Sequence, residues 1–212
     1  MKLTAQVKLQ PTAEQADSLH RTMEASNAAA NFLSNLAWNS RVFHKYDLHH
    51  AAYYDLRERF ELSAQAAVRV ISKVADAYKK DKRSKRTFKP LGSIAYDNRI
   101  LSWKKEQNIS IWTVDGRQTI PFVAGDRQTA LLLNRQGEVD LCCRGDEFYL
   151  LQTCDVEESK VAQVEDYIGV DMGIINIAVD SDGNISSRAV VNRPNVSTAQ
   201  TTVQRQGQSP RL

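Results

Sequence analysis

Cysteine is scarce in this 212-residue chain and poorly placed for chemistry. Cys142 and Cys143 are adjacent, Cys154 stands apart, and no C-x-x-C pair occurs. That pattern makes a poor zinc site, and the odd count argues against a disulfide framework. The cysteines read as reduced strand residues of a cytoplasmic protein. Long hydrophobic runs are missing as well: none approaches ~18 residues, so no membrane association is expected. Met1-Lys2-Leu3-Thr4 opens a strand rather than a signal peptide. Charge of one sign is also in short supply. The net charge is only +3, so any basic surface must arise by clustering. With 42% hydrophobic and 25% charged residues, the composition is that of a globular chain of one or two domains.

What is present is a change of period along the chain. Leu3, Ala5, Val7 and Leu9 alternate with Lys2, Thr4, Gln6 and Lys8, which is the pattern of a half-buried strand. Pro11 stops it. Thr12 with Gln15 then sets a capping box for a helix on the stripe Ala16, Leu19, Met23, Ala30, Leu33 and Ala37, ending near Trp38. Phe32 and Trp38 read as core. Asp47 is expected to cap a second helix over 48–60, whose adjacent His49 and His50 share no face and make poor metal ligands. Ser63 is expected to cap a third helix over 64–80. From Phe88 onward the period becomes two. Segments 94–102, 108–114, 118–123, 138–143 and 148–154 read as strands, with turn signals at Asp115-Gly116 and Gly145-Asp146. Residues 124–134 are expected to form a short helix. With the first strand, these strands suggest a small barrel interrupted by a helical insertion. Tyr96, Trp103 and Trp112 could stack on bases, although alternating strand aromatics are more often core.

The third helix runs into Lys79-Lys80-Asp81-Lys82-Arg83-Ser84-Lys85-Arg86-Thr87-Phe88-Lys89, where seven of eleven residues are basic and one is acidic. Arg69, Lys73 and Lys80 fall near one another on the helix face away from its apolar stripe. A charge run of this density usually marks a solvated linker, whereas one continuous with such a face, between a helical and a β segment, more often marks a phosphate-contacting surface. The candidate binding residues are therefore Arg69, Lys73, Lys79, Lys80, Lys82, Arg83, Lys85, Arg86 and Lys89. Further on, residues 155–166 carry five carboxylates and one lysine and read as a hinge.

After that hinge comes Ile168-Gly169-Val170-Asp171-Met172-Gly173-Ile174-Ile175-Asn176-Ile177-Ala178-Val179, closed by Asp180-Ser181-Asp182-Gly183. It reads as one strand buried on both faces, followed by a hairpin. A carboxylate in mid-strand, as Asp171 is, persists when a metal or a hydrogen-bond network compensates it. This stretch resembles the first RuvC motif of the TnpB/OrfB proteins of insertion sequences, transposon relatives of the type V CRISPR effector nucleases. Phe88-Lys89-Pro90-Leu91-Gly92-Ser93, Trp112-Thr113-Val114-Asp115-Gly116-Arg117 through Pro121-Phe122, and Gly137-Glu138-Val139-Asp140-Leu141 with Phe148-Tyr149-Leu150 are similar, in order, to that family's wedge domain.

The resemblance spans roughly residues 1–185 and implies an α+β fold. A wedge-type β-barrel with a helical insertion after its first strand is followed by the first strands of an incomplete RNase H-like (RuvC) domain. The implied domains are 1–10, the first wedge strand; 11–82, the helical recognition insertion; 83–155, the rest of the barrel; 156–187, the start of the RuvC domain; and 188–212, a disordered tail. The implied activity is that of an RNA-guided, Mg²⁺-dependent DNA endonuclease, with a guide RNA and double-stranded DNA as partners. Asp171 matches the family's first catalytic and metal-binding carboxylate. Its later Glu and Asp have no counterpart, because no Glu follows Glu165 and no acid of any kind follows Asp182. The family's zinc-ribbon cysteines are also absent, so no zinc is expected, and Mg²⁺ binding is expected to be weak or lost. A truncation or frameshift past residue 185 would account for these absences. The expected product is a nucleic-acid-binding fragment without nuclease activity of its own. A nuclease-dead repressor and a transposon remnant are the alternatives, with an actin-like ATPase or sugar-kinase fragment more remote.

Overall fold

The computed structural model describes residues 1–157, 170–171 and 176–187. Residues 1–158 form one compact unit, and residues 159–212 belong to a second.

The first unit opens with β1 (Lys2–Leu9), whose alternation buries Ala5, Val7 and Leu9. Three helices follow: α1 (Ala13–Ser40), α2 (Lys45–Arg59) and α3 (Ala64–Lys80). Helix α1 starts at the capping box, with Gln15 N donating to Thr12 Oγ1 at 3.3 Å and Thr12 N to Gln15 Oε1 at 3.1 Å. It ends at Arg41, which takes the left-handed conformation with φ 56°. Helix α2 begins earlier than expected. His44 is its N-cap and Asp47 lies inside the first turn, where its carboxylate sits beside the unpaired N–H groups and favours the helix through their dipole without capping it. Ser63 does cap α3, accepting from Ala66 N at 3.3 Å.

The remaining strands of the unit are β2 (Ile94–Tyr96), β3 (Leu101–Trp103), β4 (Asn108–Thr113), β5 (Gly116–Val123), β6 (Arg135–Arg144) and β7 (Glu147–Asp155), with the short α4 (Asp126–Leu132) between β5 and β6. The expected strand over 94–102 is in fact two strands. Asp97 captures the chain between them: its carbonyl accepts from Ile100 N and Leu101 N at 3.1 and 2.9 Å, and its carboxylate accepts from Arg99 N at 3.0 Å. That turn sends the two halves to opposite edges of one antiparallel sheet, ordered β2-β6-β7-β1-β5-β4-β3. Because β2 and β3 end the series yet are joined by four residues, the sheet must curl until its edges meet. The result is a nearly closed, barrel-like sheet with β1 at its centre, paired to β7 and β5.

Two hydrophobic cores result. The barrel core gathers Val7, Ile109, Ile111, Ile120, Leu141, Phe148 and Leu150 with Leu19 and Met23 of α1. The helical core gathers Leu33 and Ala37 of α1 with Leu48, Leu56, Ile71, Val74 and Tyr78. Trp112 packs against both.

In the second unit β8 (Val170–Asp171), β9 (Asn176–Asp180) and β10 (Ile185–Ser187) form an antiparallel sheet in the order β10-β9-β8. Here too the structure corrects the sequence reading. The run 168–179 is not a single strand, since Val170 and Asp171 pair antiparallel with Asp180 and Val179. Nor is it buried throughout, because Val170 is 56% exposed. A run made mostly of apolar and small residues carries little mark of where it reverses. Most of the acidic hinge and all of segment 188–212 lie outside the described residues.

Candidate nucleic-acid interface

The basic run is held by its backbone. Helix α1 carries Asn27, Asn31 and Ser34 at helical spacing on one face, and all three reach segment 86–92. Asn27 Nδ2 donates to the carbonyls of Pro90 and Gly92, each at 2.8 Å. Asn31 makes a reciprocal pair with Phe88, accepting from its N–H and donating to its carbonyl at 2.8 Å each. Ser34 Oγ donates to Arg86 O at 2.6 Å, and Tyr78 OH accepts from Arg86 N at 3.2 Å. Three side chains thus do for this segment what a neighbouring strand would do.

Asp81 shapes the turn that precedes it. Its carboxylate accepts from Arg83 N at 2.8 Å and pairs with Arg86 Nη2 at 2.5 Å, while its carbonyl accepts from Arg86 Nη2 at 2.9 Å. The Arg83 N–H, then the Arg86 guanidinium, hold the Asp81 carboxyl below the usual carboxylate range.

The nine candidate cations separate into two groups. Lys79, Lys80, Lys82, Arg83, Lys85 and Lys89 are exposed, and no carboxylate pairs with them among the described residues. Arg86 is spent on Asp81. Arg69 and Lys73 turn toward the barrel. The side chain of Arg69 is 15% exposed and pairs with Glu138 of β6. Lys73 Nζ donates to Asn27 Oδ1 at 2.6 Å and to Ser93 O at 2.7 Å, and lies 5.1 Å from the Phe88 ring. Burial lowers its pKa to about 8, against a partial pull from Asp140. Arg86 and Lys73 brace the run, Arg69 ties α3 to β6, and the other six face solvent. Asn27, Asn31 and Ser34 were missed by reading the sequence. Their signal is a set of polar residues spaced four and three apart beside an apolar helical stripe.

Asp171 lies in β8 opposite Val179, and its carboxylate lies outside what the structure describes. Asp180, opposite Val170 on the adjacent strand, is committed to a turn: Oδ1 accepts from Asp182 N and Asn184 N at 3.0 and 2.8 Å, and Oδ2 from Asn184 Nδ2 at 2.7 Å. Among the described residues no group of three His, Cys, Asp or Glu could hold a metal ion. Among the described residues no helix is long and apolar enough to cross a membrane.

No family model matches the chain, and no curated protein matches it in sequence. Among solved structures it is similar to the chain in "Cryo-EM structure of CRISPR-Cas12f Ternary Complex", at 11% identity and a TM-score of 0.46, over 84% of this chain and 49% of that one. It is also similar to that in "Cryo-EM structure of the Cas12f1-sgRNA-target DNA complex", at 11% identity and a TM-score of 0.36, over 90% of this chain and 58% of that one. The chain therefore spans roughly half the length of the proteins it matches. Likeness of this depth says nothing of chemistry.

Proposed function

We propose that the chain grips nucleic acid through the pinned basic run, as the N-terminal part of an RNA-guided nuclease of the TnpB/OrfB type. The observation that carries this reading is the division of labour among the cations. Among the described residues six cations stand without a carboxylate partner, on the end of α3, on the turn shaped by Asp81 and beside the segment that α1 pins, so little backbone ordering opposes phosphate binding. Such contacts supply affinity and register, and they do not read sequence. The TnpB/OrfB assignment draws support from the ordered motifs between Phe88 and Val179. A guide RNA and double-stranded DNA are the partners it implies. The antiparallel order β8-β9-β10 suits the start of an RNase H-like sheet. With Asp171 as its single matching carboxylate, this chain alone should bind Mg²⁺ weakly and cleave nothing.

The test is a salt titration. If all six cations meet phosphates, log K should fall against log salt with a slope of about −4 for single strands and about −5 for duplex. Replacing Lys82, Arg83 and Lys85 by Gln should halve that slope and weaken all sequences alike. Arg86 must be left intact, because it holds the run in place. Binding that is indifferent to salt, or unchanged in the triple variant, would sink the proposal.

A further inference from the structure

The barrel does not close along its whole length. Strand β2 pairs with β6 only as far as Tyr96 opposite Val139, and β3 pairs only with β4. Strand β6 bulges between Arg135 and Val139. Between β3 and that bulge lies a cavity of about 380 Å³, lined by Tyr96, Asn98, Trp103, Arg135, Gln136 and Gln152 among others. It belongs wholly to the first unit and stands apart from the basic run.

Its lining is chemically specific. Gln152 is 3% exposed, and its Nε2 donates to the carbonyls of Gln136 and Thr153 at 2.9 Å each. Those bonds fix the orientation of the amide, and its Oε1 accepts none from the described residues. Trp112 N donates to Ile100 O and Lys104 N to Asn108 O, both at 2.8 Å. By strand alternation the N–H and C=O of Trp103 then point away from β4, toward the seam. The half-buried Trp103 ring is braced edge-on by Phe122, with centroids 5.2 Å apart at 90°. Arg135, Lys104 and Lys105 are exposed beside it and share a second groove with Trp103, and no carboxylate pairs with them among the described residues.

A planar wall, a preset acceptor, open amide and backbone groups, Arg135 at the mouth and lysines in the adjoining groove are what a nucleobase with its phosphate requires. We infer that the seam receives one nucleotide: the base lies against Trp103 with its polar edge toward Gln152 and Asn98, and the phosphate meets Arg135 and Lys104. The cavity falls in the range of small-ligand sites and is too small for a stacked run of bases.

The test uses the full chain with 5-fluorotryptophan at its three tryptophans, the Trp103 signal being assigned by Trp103→Phe. AMP, GMP, CMP and UMP are titrated separately, followed by a short single-stranded RNA of mixed sequence. The Trp103 resonance should shift and saturate while those of Trp38 and Trp112 stay still. Asn98→Ala, an exposed change that spares the core, should weaken that response about tenfold at unaltered melting temperature. Saturation by the monophosphates marks a free-nucleotide site, and saturation by the RNA alone marks a site for a base within a strand. Either supports the inference. The Lys82, Arg83 and Lys85 variant should keep the response to monophosphates, so failure of the basic run and failure of the seam are told apart. No Trp103 shift at millimolar nucleotide or with the RNA overturns the inference, as does an undiminished response in Asn98→Ala.

Discussion

Lys73 occupies a place where a cation is costly. Packed between α3, Asn27 and the entry to β2, it has a pKa lowered to about 8 by burial. Between that value and its ordinary one the unfolded chain holds the proton that the folded chain has shed, so stability should rise with pH across the interval. Below about pH 8 the desolvation penalty is fully present. Urea unfolding midpoints from neutral pH to about pH 9.5 should show this rise in the parent and not in Lys73→Met, so that the parent-minus-variant difference climbs with pH and isolates the one group. Asn31 is the counterpart without charge. Truncation to Ala leaves both the N–H and the carbonyl of Phe88 without their partner, and should cost about 1–3 kcal/mol in the same measurement. Asn31→Asp keeps the acceptor and loses the donor, so it should fall between the two.

At the level of elements, the basic run is best seen as an edge laid along α1. Asp81 should keep it closed at neutral pH, because a carboxylate with a lowered pKa contributes stability above its ordinary range and loses it as pH falls through the lowered value. Asp81→Ala should therefore speed trypsin cleavage after Lys82, Arg83 or Lys85 without shifting the melting of α3. Ser63→Ala should do the reverse, costing about 1 kcal/mol of helix stability and leaving the nicking rate alone. What was legible in the sequence follows the same division between local and distant causes. The Thr12–Gln15 capping box, the Ser63 cap and the alternation in β1 are written in neighbouring residues and were readable. The break at Asp97 was not, because it depends on which distant strands β2 and β3 pair with. Arg69 and Lys73 looked like surface cations for a similar reason. A helix wheel shows which residues share a face and is silent about Glu138, Asn27 and Ser93, which stand opposite.

For the molecule as a whole, α1 matters most, since its first half is buried in the barrel core and its second half in the helical core. Over 28 residues, about 42 Å, one rigid rod ties the two together. Helix and barrel signals of the first unit should therefore unfold in a single transition, with far-ultraviolet dichroism and tryptophan fluorescence superimposing in urea. Leu33→Ala, made in the helical core, should lower both curves together by about 2–5 kcal/mol.

The central strand has one more consequence, which concerns synthesis. Strand β1 leaves the ribosome ahead of the other barrel strands, yet its main partner is the last of them, with Lys2 opposite Asp155. At about 5–20 residues per second the nascent chain carries that strand unmatched for roughly 7–30 s, while the three helices have time to form beside it. The barrel is thus completed at its middle by the last of its own strands, and a chain arrested before β7 would hold a finished helical domain and an open, adhesive sheet.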